Sequence, residues 1–394
     1  MSKLTQQDFK REAFDLFDDM VRVRRDLHRH PELGFQETRT AALVAEKLTN
    51  LGLEVQTGLG NTGVVGLLGG DRPGPIVLLR FDMDGLPIQE ESSHEYVSQN
   101  PGVMHACGHD GHIAMGLALA DIFARHQREL AGTLKFMFQP AEEGLGGAMA
   151  MVADGVLENP RPEVALAMHL WSPVKLGQVR VIDGPAMASS SVFTIIVEGQ
   201  GGHGAAPHLA TDPIIAAAQI VVALQSIVSR NANPHESVVV SIGEFSAGST
   251  FNAIPERATL KGTVRSYDKV SHRMIYRRIL EMATNVARGF GCRATMETVA
   301  IVSAVVNAQE PTAVVRQAAG HVVGETNIVE HRTMAAEDMG YILEEIPGCY
   351  FFIGCSNGEE TSYPHHHPRF DFDERAMIDG VTIMAEAAAH YLLP

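Results

Sequence analysis

Residues 76–85 read IVLLRFDMDG, an apolar run from Ile76 to Phe81 that leads into two acidic residues. A nearly continuous apolar run of this length is typical of a strand buried on both faces, as in a parallel sheet. Strands that alternate with helices predict an α/β fold, with a mixed, mostly parallel sheet and helices on both faces. Further strands are predicted at 64–68, 134–139 and 164–169, and helices at 8–28, 38–51 and 113–125.

A change of pattern after Gly184-Pro185 marks a second domain. Its predicted elements follow the order β-α-β-β-α-β, which is that of a split βαβ, ferredoxin-like α+β sandwich. We therefore predict a discontinuous domain of residues 1–186 and 304–394, interrupted by an inserted domain of residues 187–303. The inserted strands are predicted at 191–198, 237–245, 258–265 and 292–305, and its helices at 213–229 and 270–288. The α/β pattern resumes with a helix from residue 312, a strand at 350–353 and a helix at 374–392.

Composition excludes several classes of partner. The 394 residues include 31 Lys and Arg against 47 Asp and Glu, a formal charge of −16. This charge argues against nucleic acid and against an anionic membrane surface. We find neither a run of 18 apolar residues nor a signal peptide, so no membrane span is expected. Four scattered cysteines indicate a reducing cytoplasm, and 18 histidines raise the question of a metal site.

The densest group of candidate metal ligands is His105-Ala-Cys107-Gly-His109-Asp110-Gly-His112, just before a predicted helix. Thiolate and imidazole suit zinc, manganese, cobalt or nickel better than magnesium or calcium. The alternative is a glycine-rich turn in which Asp110 caps the helix and the histidines are simply buried. Five potential ligands within eight residues favour the metal site.

Two adjacent glutamates, Glu142 and Glu143, follow the strand predicted at 134–139. Active sites of open α/β sheets lie at the carboxyl ends of strands. Adjacent side chains point in different directions, so one carboxylate can bind metal while the other transfers protons. A solvated loop is the alternative interpretation of this pair.

Three other motifs lie near predicted strand ends or in a loop. Asp82 and Asp84 are either ligands or acceptors that hold imidazole N–H groups in place. His169 closes the strand at 164–169 and is either a ligand or a satisfied core histidine. The run 365–367 is His-His-His, a metal-binding loop or a chance cluster. Taken together, these motifs offer the His, Cys, Asp and Glu that a two-metal hydrolytic site needs.

The inserted domain carries one glycine-rich motif, residues 199–208, with His203 at its centre. The following helix begins too late for a dinucleotide-binding fingerprint. The motif either forms a simple turn or directs the side chain of His203 outward.

Several of these motifs occur, in order, in one family. The sequence from about residue 20 to 390 resembles the aminoacylase/carboxypeptidase family of di-metal amidohydrolases. Within it, the branch of hippurate hydrolase and the plant auxin–amino-acid conjugate hydrolases is most similar. The resemblance implies a zinc-exopeptidase-like catalytic domain with an inserted lid and dimerisation domain. It is carried by residues 30–33 (HPEL), 82–87 (DMDGLP), 105–110 (HACGHD), 139–143 (QPAEE), 202–208 (GHGAAPH), 252–255 (NAIP), 262–265 (GTVR), 337–338 (ED) and 366–368 (HHP), with His169.

The resemblance also implies two divalent metal ions per chain, of manganese, zinc, cobalt or nickel. Cys107 stands where the family has its bridging ligand, and Asp82 stands in place of a histidine ligand. Among the three consecutive histidines, His366 matches the ligand position. The full set of ligands implied is Cys107, His109, Glu143, His169 and His366.

Roles in catalysis follow from the same resemblance. Glu142 matches the general base, which takes a proton from water and passes it to the leaving amine. His203 matches the residue that donates a hydrogen bond to the oxyanion, often from the partner subunit of a dimer. Asn252 and Arg265 match substrate-binding groups. The alternative interpretation of Arg265 is a solvated surface charge. A guanidinium suits the carboxylate of an amino acid.

We therefore expect a cytoplasmic amidohydrolase of N-acyl or N-aroyl amino acids, forming a homodimer or homotetramer through the lid domain. A dipeptidase or exopeptidase, or an N-acetyl or N-succinyl amino acid deacylase, is the alternative. A non-enzymatic metal-binding protein is a third possibility, and the presence of Glu142 beside the ligand set argues against it. Met339 stands where the family often has Phe, which leaves the preferred acyl group open.

Overall fold

The structure is a computed structural model that describes residues 6–330 and 332–393. Residues 1–5, 331 and 394, which belong to the predicted discontinuous domain, lie outside the described residues. The α-helices are α1 (Gln6–Asp15), α2 (Phe17–Arg29), α3 (Thr38–Asn50), α4 (His109–Arg125), α5 (Gly147–Ala153), α6 (Pro213–Ser226), α7 (Lys269–Gly289), α8 (Gln309–Val323), α9 (Met339–Leu343) and α10 (Ala376–Leu392). The strands are β1 (Glu54–Leu59), β2 (Gly63–Gly69), β3 (Arg72–Asp82), β4 (Ala131–Gln139), β5 (Val164–Lys175), β6 (Val179–Arg180), β7 (Gly184–Met187), β8 (Ser189–Glu198), β9 (Gly202–His203), β10 (Val238–Ala247), β11 (Ala253–Ile254), β12 (Arg257–Ser266), β13 (Arg293–Val302), β14 (Val305–Asn307), β15 (Ile328–Val329) and β16 (Gly348–Ser356).

The chain divides into two compact units. The first, the catalytic unit, comprises Met1–Ala186, Val306–Arg332 and Asp338–Pro394. The second, the inserted unit, comprises Met187–Val305 and Thr333–Glu337. The short segment 333–337, which the sequence pattern assigns to the discontinuous domain, therefore groups with the inserted unit.

The sheet of the catalytic unit has the strand order β1-β2-β4-β3-β5-β16-β6-β15. Its four central strands, β4, β3, β5 and β16, run parallel. The last six residues of β3 are buried, as its apolar run predicts. Helices α4 and α10 contact this strand and are themselves buried over most of their length. The predicted α/β fold is confirmed.

Strand register determines which side chains share a face of this sheet. β3 pairs with β4 so that Asp82 lies beside Gln139, and it pairs with β5 so that Arg80 lies beside Ala167. Because side chains alternate along a strand, Asp82 and His169 point to the same face. Their apolar neighbours on the strands point to the other face and belong to the hydrophobic core.

The structure corrects three local predictions. The N-terminal helix is two helices, α1 and α2, separated at Leu16. Helix α4 begins at His109, preceded by Gly108 in the left-handed conformation, so Asp110 lies in its first turn and is not the cap. β5 continues six residues beyond His169 because β16 pairs with it as far as Lys175. Strand β1 has no counterpart among the predicted strands.

The inserted unit has a four-stranded sheet with the order β10-β12-β8-β13, and every pair in it is antiparallel. Helices α6 and α7 contact each other and this sheet, and their buried apolar residues form its core. The predicted β-α-β-β-α-β order is therefore present. A separate pairing joins the short strands β9 and β11.

One helical segment, Pro213–Asn231, is long and apolar enough to cross a membrane by length and composition, with a mean hydropathy of 1.5. Its residues Ala216, Ile220 and Leu224 are buried in the core of the inserted unit. A core helix of a globular domain meets the same criterion, so this segment is weak evidence for a membrane span.

Candidate metal centre

The segment that leads into α4 presents Cys107 and His109. Gly108 lies between them with φ of 91°, a conformation that glycine adopts without steric cost. The glycine turns the chain directly into the helix, so His109 is the first helical residue. Both side chains are buried.

Donor atoms of the predicted ligands converge within the catalytic unit. Three of the groups that contain these ligands overlap, and in each of them the donor atoms lie within 4.8 Å of one another. Because the groups share members, we treat them as one centre. The groups are Cys107, His109 and His169; Cys107, Glu143 and His366; and His109, Glu142 and Glu143.

Asp84 holds two members of this centre. His109 Nδ1 lies 2.9 Å from the carbonyl oxygen of Asp84 and 3.2 Å from its Oδ1. Oδ2 of Asp84 accepts a hydrogen bond from the backbone N–H of Glu143 at 3.0 Å. The arrangement leaves Nε2 of His109 buried and without a hydrogen-bond partner among the described residues. A carboxylate behind one imidazole nitrogen and a free second nitrogen is typical of a metal-binding histidine.

His169 reaches the same centre from β5. Its Nδ1 donates to the carbonyl of Leu170 at 2.6 Å, and its Nε2 lies 3.5 Å from Sγ of Cys107. Burial lowers the pKa of His169 well below its usual value, and the neighbouring His112 and His365 lower it further. The imidazole is therefore neutral, and its Nε2 lone pair is available to a metal.

The three consecutive histidines have different environments. His366 has φ of 67°, and its Nε2 lies 3.1 Å from Oε1 of Glu143. His365 Nε2 instead donates to the carbonyl of Leu170 at 2.9 Å. Nδ1 of His367 accepts from the backbone of its own loop. The structure thus brings His366 to the predicted centre.

The donor set fits divalent transition metals. Burial, and then the nearby Glu143 and Glu142, raise the pKa of the Cys107 thiol well above its usual value. The thiol needs a bound cation to become a thiolate at neutral pH. Thiolate, imidazole and carboxylate together, with the unpartnered nitrogen of His109, match the ligands of a first-row dication.

Behind the centre lies a buried ionic network that the sequence analysis missed. Arg80 donates to Asp82 at 2.7 Å, to Gln139 at 2.8 Å and to Asp338 at 2.9 Å. The second oxygen of Asp82 lies 2.5 Å from Nδ1 of His112. Oδ2 of Asp82 is 3.7 Å from His109 Nε2. The signal in the sequence is Arg80 itself, a charge inside an apolar strand.

The inserted unit brings two of its three predicted site residues together. His203 on β9 pairs with Ala253 on β11, directly after Asn252. The backbone N–H of Gly204 also donates to the carbonyl of Asn252 at 2.8 Å. Both His203 and Asn252 are exposed. Arg265 lies on another strand, β12, where burial lowers the pKa of its guanidinium.

The α/β fold and the converging donors are typical of a metal-binding enzyme, and comparison with known proteins identifies the class as a hydrolase. Peptidase family M20/M25/M40 matches residues 78–390. A hippurate hydrolase of Campylobacter jejuni is 38% identical over 97% of this chain and 98% of its own length. IAA-amino acid hydrolase ILR1-like 4 of Arabidopsis thaliana is 38% identical, over 96% of this chain and 87% of its own length.

Solved structures agree with these matches. The crystal structure of Bacillus subtilis YXEP, described as a dinuclear metal binding peptidase from the M20 family, superposes with a TM-score of 0.83. It is 32% identical and covers 96% of this chain and 98% of that one. The chain belongs to peptidase family M20/M25/M40, and it is a hydrolase that acts on amide bonds. The family resemblance and the predicted enzyme class are confirmed.

Proposed function

We propose that this chain hydrolyses N-acyl or N-aroyl amino acids to a carboxylic acid and an amino acid. The observation that carries the proposal is Glu142, a nearly buried carboxylate that shares a donor group with His109 and Glu143. Relatives named for hippurate and for IAA-amino acid conjugates support this substrate class.

Five residues would hold the two metals: Cys107, which belongs to two of the donor groups, with His109, Glu143, His169 and His366. Divalent ions, when bound, acidify water and withdraw electron density from an amide carbonyl. Replacing Cys107 by Ser lowers the metal content relative to the wild type, measured by plasma mass spectrometry after desalting. An unchanged metal content contradicts the assignment of Cys107 as a ligand.

Glu142 performs the proton transfers. Its carboxylate takes a proton from the attacking water and later donates it to the leaving amine, so it acts as base and then as acid. The positive φ of Ala141, 53°, redirects the chain immediately after β4, and Glu142 therefore leaves the strand direction. Asp84 fixes the adjacent backbone through the N–H of Glu143.

We also propose roles for three residues of the inserted unit. We assign His203 to the oxyanion that forms during attack, and Asn252 and Arg265 to the carboxylate side of the substrate. The pairing of β9 with β11 supports a shared role for His203 and Asn252. Half-burial of Arg265, which the lowered pKa reflects, favours a binding group over a solvated charge.

Met339 is the residue that bears on which acyl group the enzyme prefers. Met339, which begins α9, is fully buried and replaces the Phe common in the family. Methionine adapts its shape more readily than phenylalanine. If Met339 lines the acyl pocket, the enzyme accepts acyl groups of varied shape.

We propose a cytoplasmic dimer or tetramer assembled through the inserted unit. Ile215 and Val222 of α6 are 50% and 66% exposed, and their spacing of seven residues brings them to the same side of the helix, which supports a contact with a second chain. Light scattering on the purified protein gives the mass directly. A monomer that retains full activity contradicts this assembly.

One substrate panel tests the proposed function. Hippurate, indole-acetyl amino acids, N-acetyl and N-succinyl amino acids and dipeptides are each assayed with manganese, zinc, cobalt and nickel. We expect the highest kcat/KM on an aroyl or indole-acetyl amino acid. Preference for dipeptides identifies an exopeptidase and contradicts the proposal. Preference for acetyl or succinyl substrates identifies a deacylase and contradicts the expected aroyl or indole-acetyl specificity.

A further inference from the structure

A second set of metal-ligating side chains shares no residue with the dinuclear centre. Donor atoms of His28, Glu90 and His94 lie within 4.8 Å of one another. We propose that these residues, hereafter the His28 cluster, form a third metal site in the chain, for a single Zn²⁺ ion.

The ligand atoms lie close to the spacing found around a zinc ion. Oε1 of Glu90 lies 3.3 Å from Nε2 of His28 and 3.1 Å from Nε2 of His94. Zinc bonds of about 2.0–2.2 Å in tetrahedral geometry separate neighbouring ligand atoms by about 3.3–3.6 Å. Both ring nitrogens of His94 are shielded from solvent and lack a hydrogen-bond partner among the described residues. Nε2 of His94 instead meets Oε1 of Glu90 as an ion-pair contact of 3.1 Å.

Neighbouring groups orient two of the three ligands. Nδ1 of His28 lies 2.8 Å from Oδ2 of Asp110, which leaves Nε2 directed to Glu90. A histidine backed by a carboxylate in this way is typical of metal sites. The other oxygen of Glu90 accepts from the backbone N–H of Ser98 at 2.7 Å. The side chains of His28 and Glu90 are fully buried.

Electrostatics favour a cation at this position. Burial disfavours charge on His28, yet hydrogen bonds to Asp110 and Glu90 outweigh it and raise the pKa of the imidazole. Burial also disfavours a charged Glu90, yet His28 and His94 keep the pKa of that carboxyl well below its usual value. The geometry agrees with this, because two carboxylates, Asp110 and Glu90, lie 2.8 Å and 3.3 Å from the two ring nitrogens of His28.

The cluster also has a route to solvent. A cavity of about 570 Å³ is lined by His94, Tyr96, Glu91 and Arg369, among others. The ring of Tyr96 stacks on His94 at 3.8 Å and fixes its plane. Water from the cavity supplies the fourth ligand, as in His₂Glu zinc sites with an open position.

Binding at this site stabilises the start of α4. Asp110, the partner of His28, follows His109 in the first turn of that helix, and Arg24 donates to the same carboxylate at 2.9 Å. A cation that fixes His28 therefore restrains Asp110. We expect Zn²⁺ to raise the thermal midpoint of the protein through this connection.

Zinc stoichiometry tests the proposal. The full-length protein is stripped with chelator, incubated with Zn²⁺, desalted and analysed by plasma mass spectrometry. We expect three zinc ions per chain in the wild type, two in His94→Ala and three in the control His208→Ala, an exposed histidine of the inserted unit. Two zinc ions in the wild type, or three in His94→Ala, contradict the site, and equal loss in His208→Ala shows adventitious binding.

Two further variants keep the test decisive. His94→Gln preserves side-chain size and removes the ligand nitrogen, so it replaces His94→Ala if that variant does not fold. In a Cys107→Ser background, His94→Ala still lowers the zinc count by one, because the two sites share no ligand. If that loss disappears, the His28 cluster is not an independent site, whatever the outcome at the dinuclear centre.

Discussion

Arg80 and Asp82 form a fully buried ion pair of 2.7 Å on the strand that leads to the metal centre. The same guanidinium donates to Asp338 at 2.9 Å, so one cation serves two buried carboxylates. Removing one partner of such a pair leaves an uncompensated charge in the interior. Asp82 in turn holds His112, whose Nε2 accepts from the backbone of Leu170, the residue after His169.

We predict that Arg80→Met lowers the free energy of unfolding by about 3–5 kcal/mol, because it leaves Asp82 and Asp338 buried without their cation. Urea unfolding of metal-free protein measures the change. The control is Arg161→Met, which removes an exposed pair with Glu158 and should cost at most about 1 kcal/mol. Equal losses in the two variants contradict a stabilising role for the network.

His203→Ala tests the oxyanion assignment. We expect kcat to fall about 10²–10³-fold, equivalent to about 2.7–4 kcal/mol, because one preorganised donor to the oxyanion is lost. The metal content stays at that of the wild type, since His203 is not a ligand. His208→Ala, an exposed histidine in the same segment, serves as the control. An unaltered kcat in His203→Ala excludes this role.

The buried thiol of Cys349 predicts a loss of stability at alkaline pH. Burial raises its pKa to about 12 in the folded chain, whereas an unfolded thiol titrates near 8.5. Because the pKa of the thiol is higher in the folded chain, its contribution to the free energy of unfolding is complete below about pH 8.5. That contribution is lost as the pH rises towards 12. Each pH unit in that window costs about 1.4 kcal/mol per thiol.

Cys349→Ala removes this thiol and isolates its contribution. The difference in unfolding free energy between wild type and variant should shrink by about 1 kcal/mol between pH 7.5 and 9.5. Urea unfolding at the two pH values, with matched metal content, measures it. A difference that does not change with pH argues against a protonated buried thiol.

The sequence predicted the parts of the site that follow from strand periodicity. Asp82, Glu142 and His169 were assigned to strand ends, and the parallel register of β3, β4 and β5 brings Asp82 and His169 to one face. The predicted order of elements in both units also follows from apolar periodicity, which depends on neighbours in the chain.

Other features depend on contacts that a local pattern does not contain. Arg80 meets Asp338 across 258 residues, and His28 meets Glu90 across 62. The apolar pattern predicts that α4 begins at residue 113, but the helix begins at His109. The left-handed conformation of Gly108 turns the chain directly into the helix, and apolar periodicity does not reveal such a turn. β1 has little apolar character, and its pairing with β2 defines it as a strand.

The central claim is that Glu142 transfers protons while its neighbour binds metal. Glu142→Gln and Glu143→Gln are the same chemical change at adjacent positions. Turnover on the best substrate of the panel, measured together with metal content, tests both roles. We predict that Glu142→Gln keeps the metal content of the wild type and loses about 10²–10⁴-fold in kcat, whereas Glu143→Gln loses metal. Full turnover in Glu142→Gln contradicts the account.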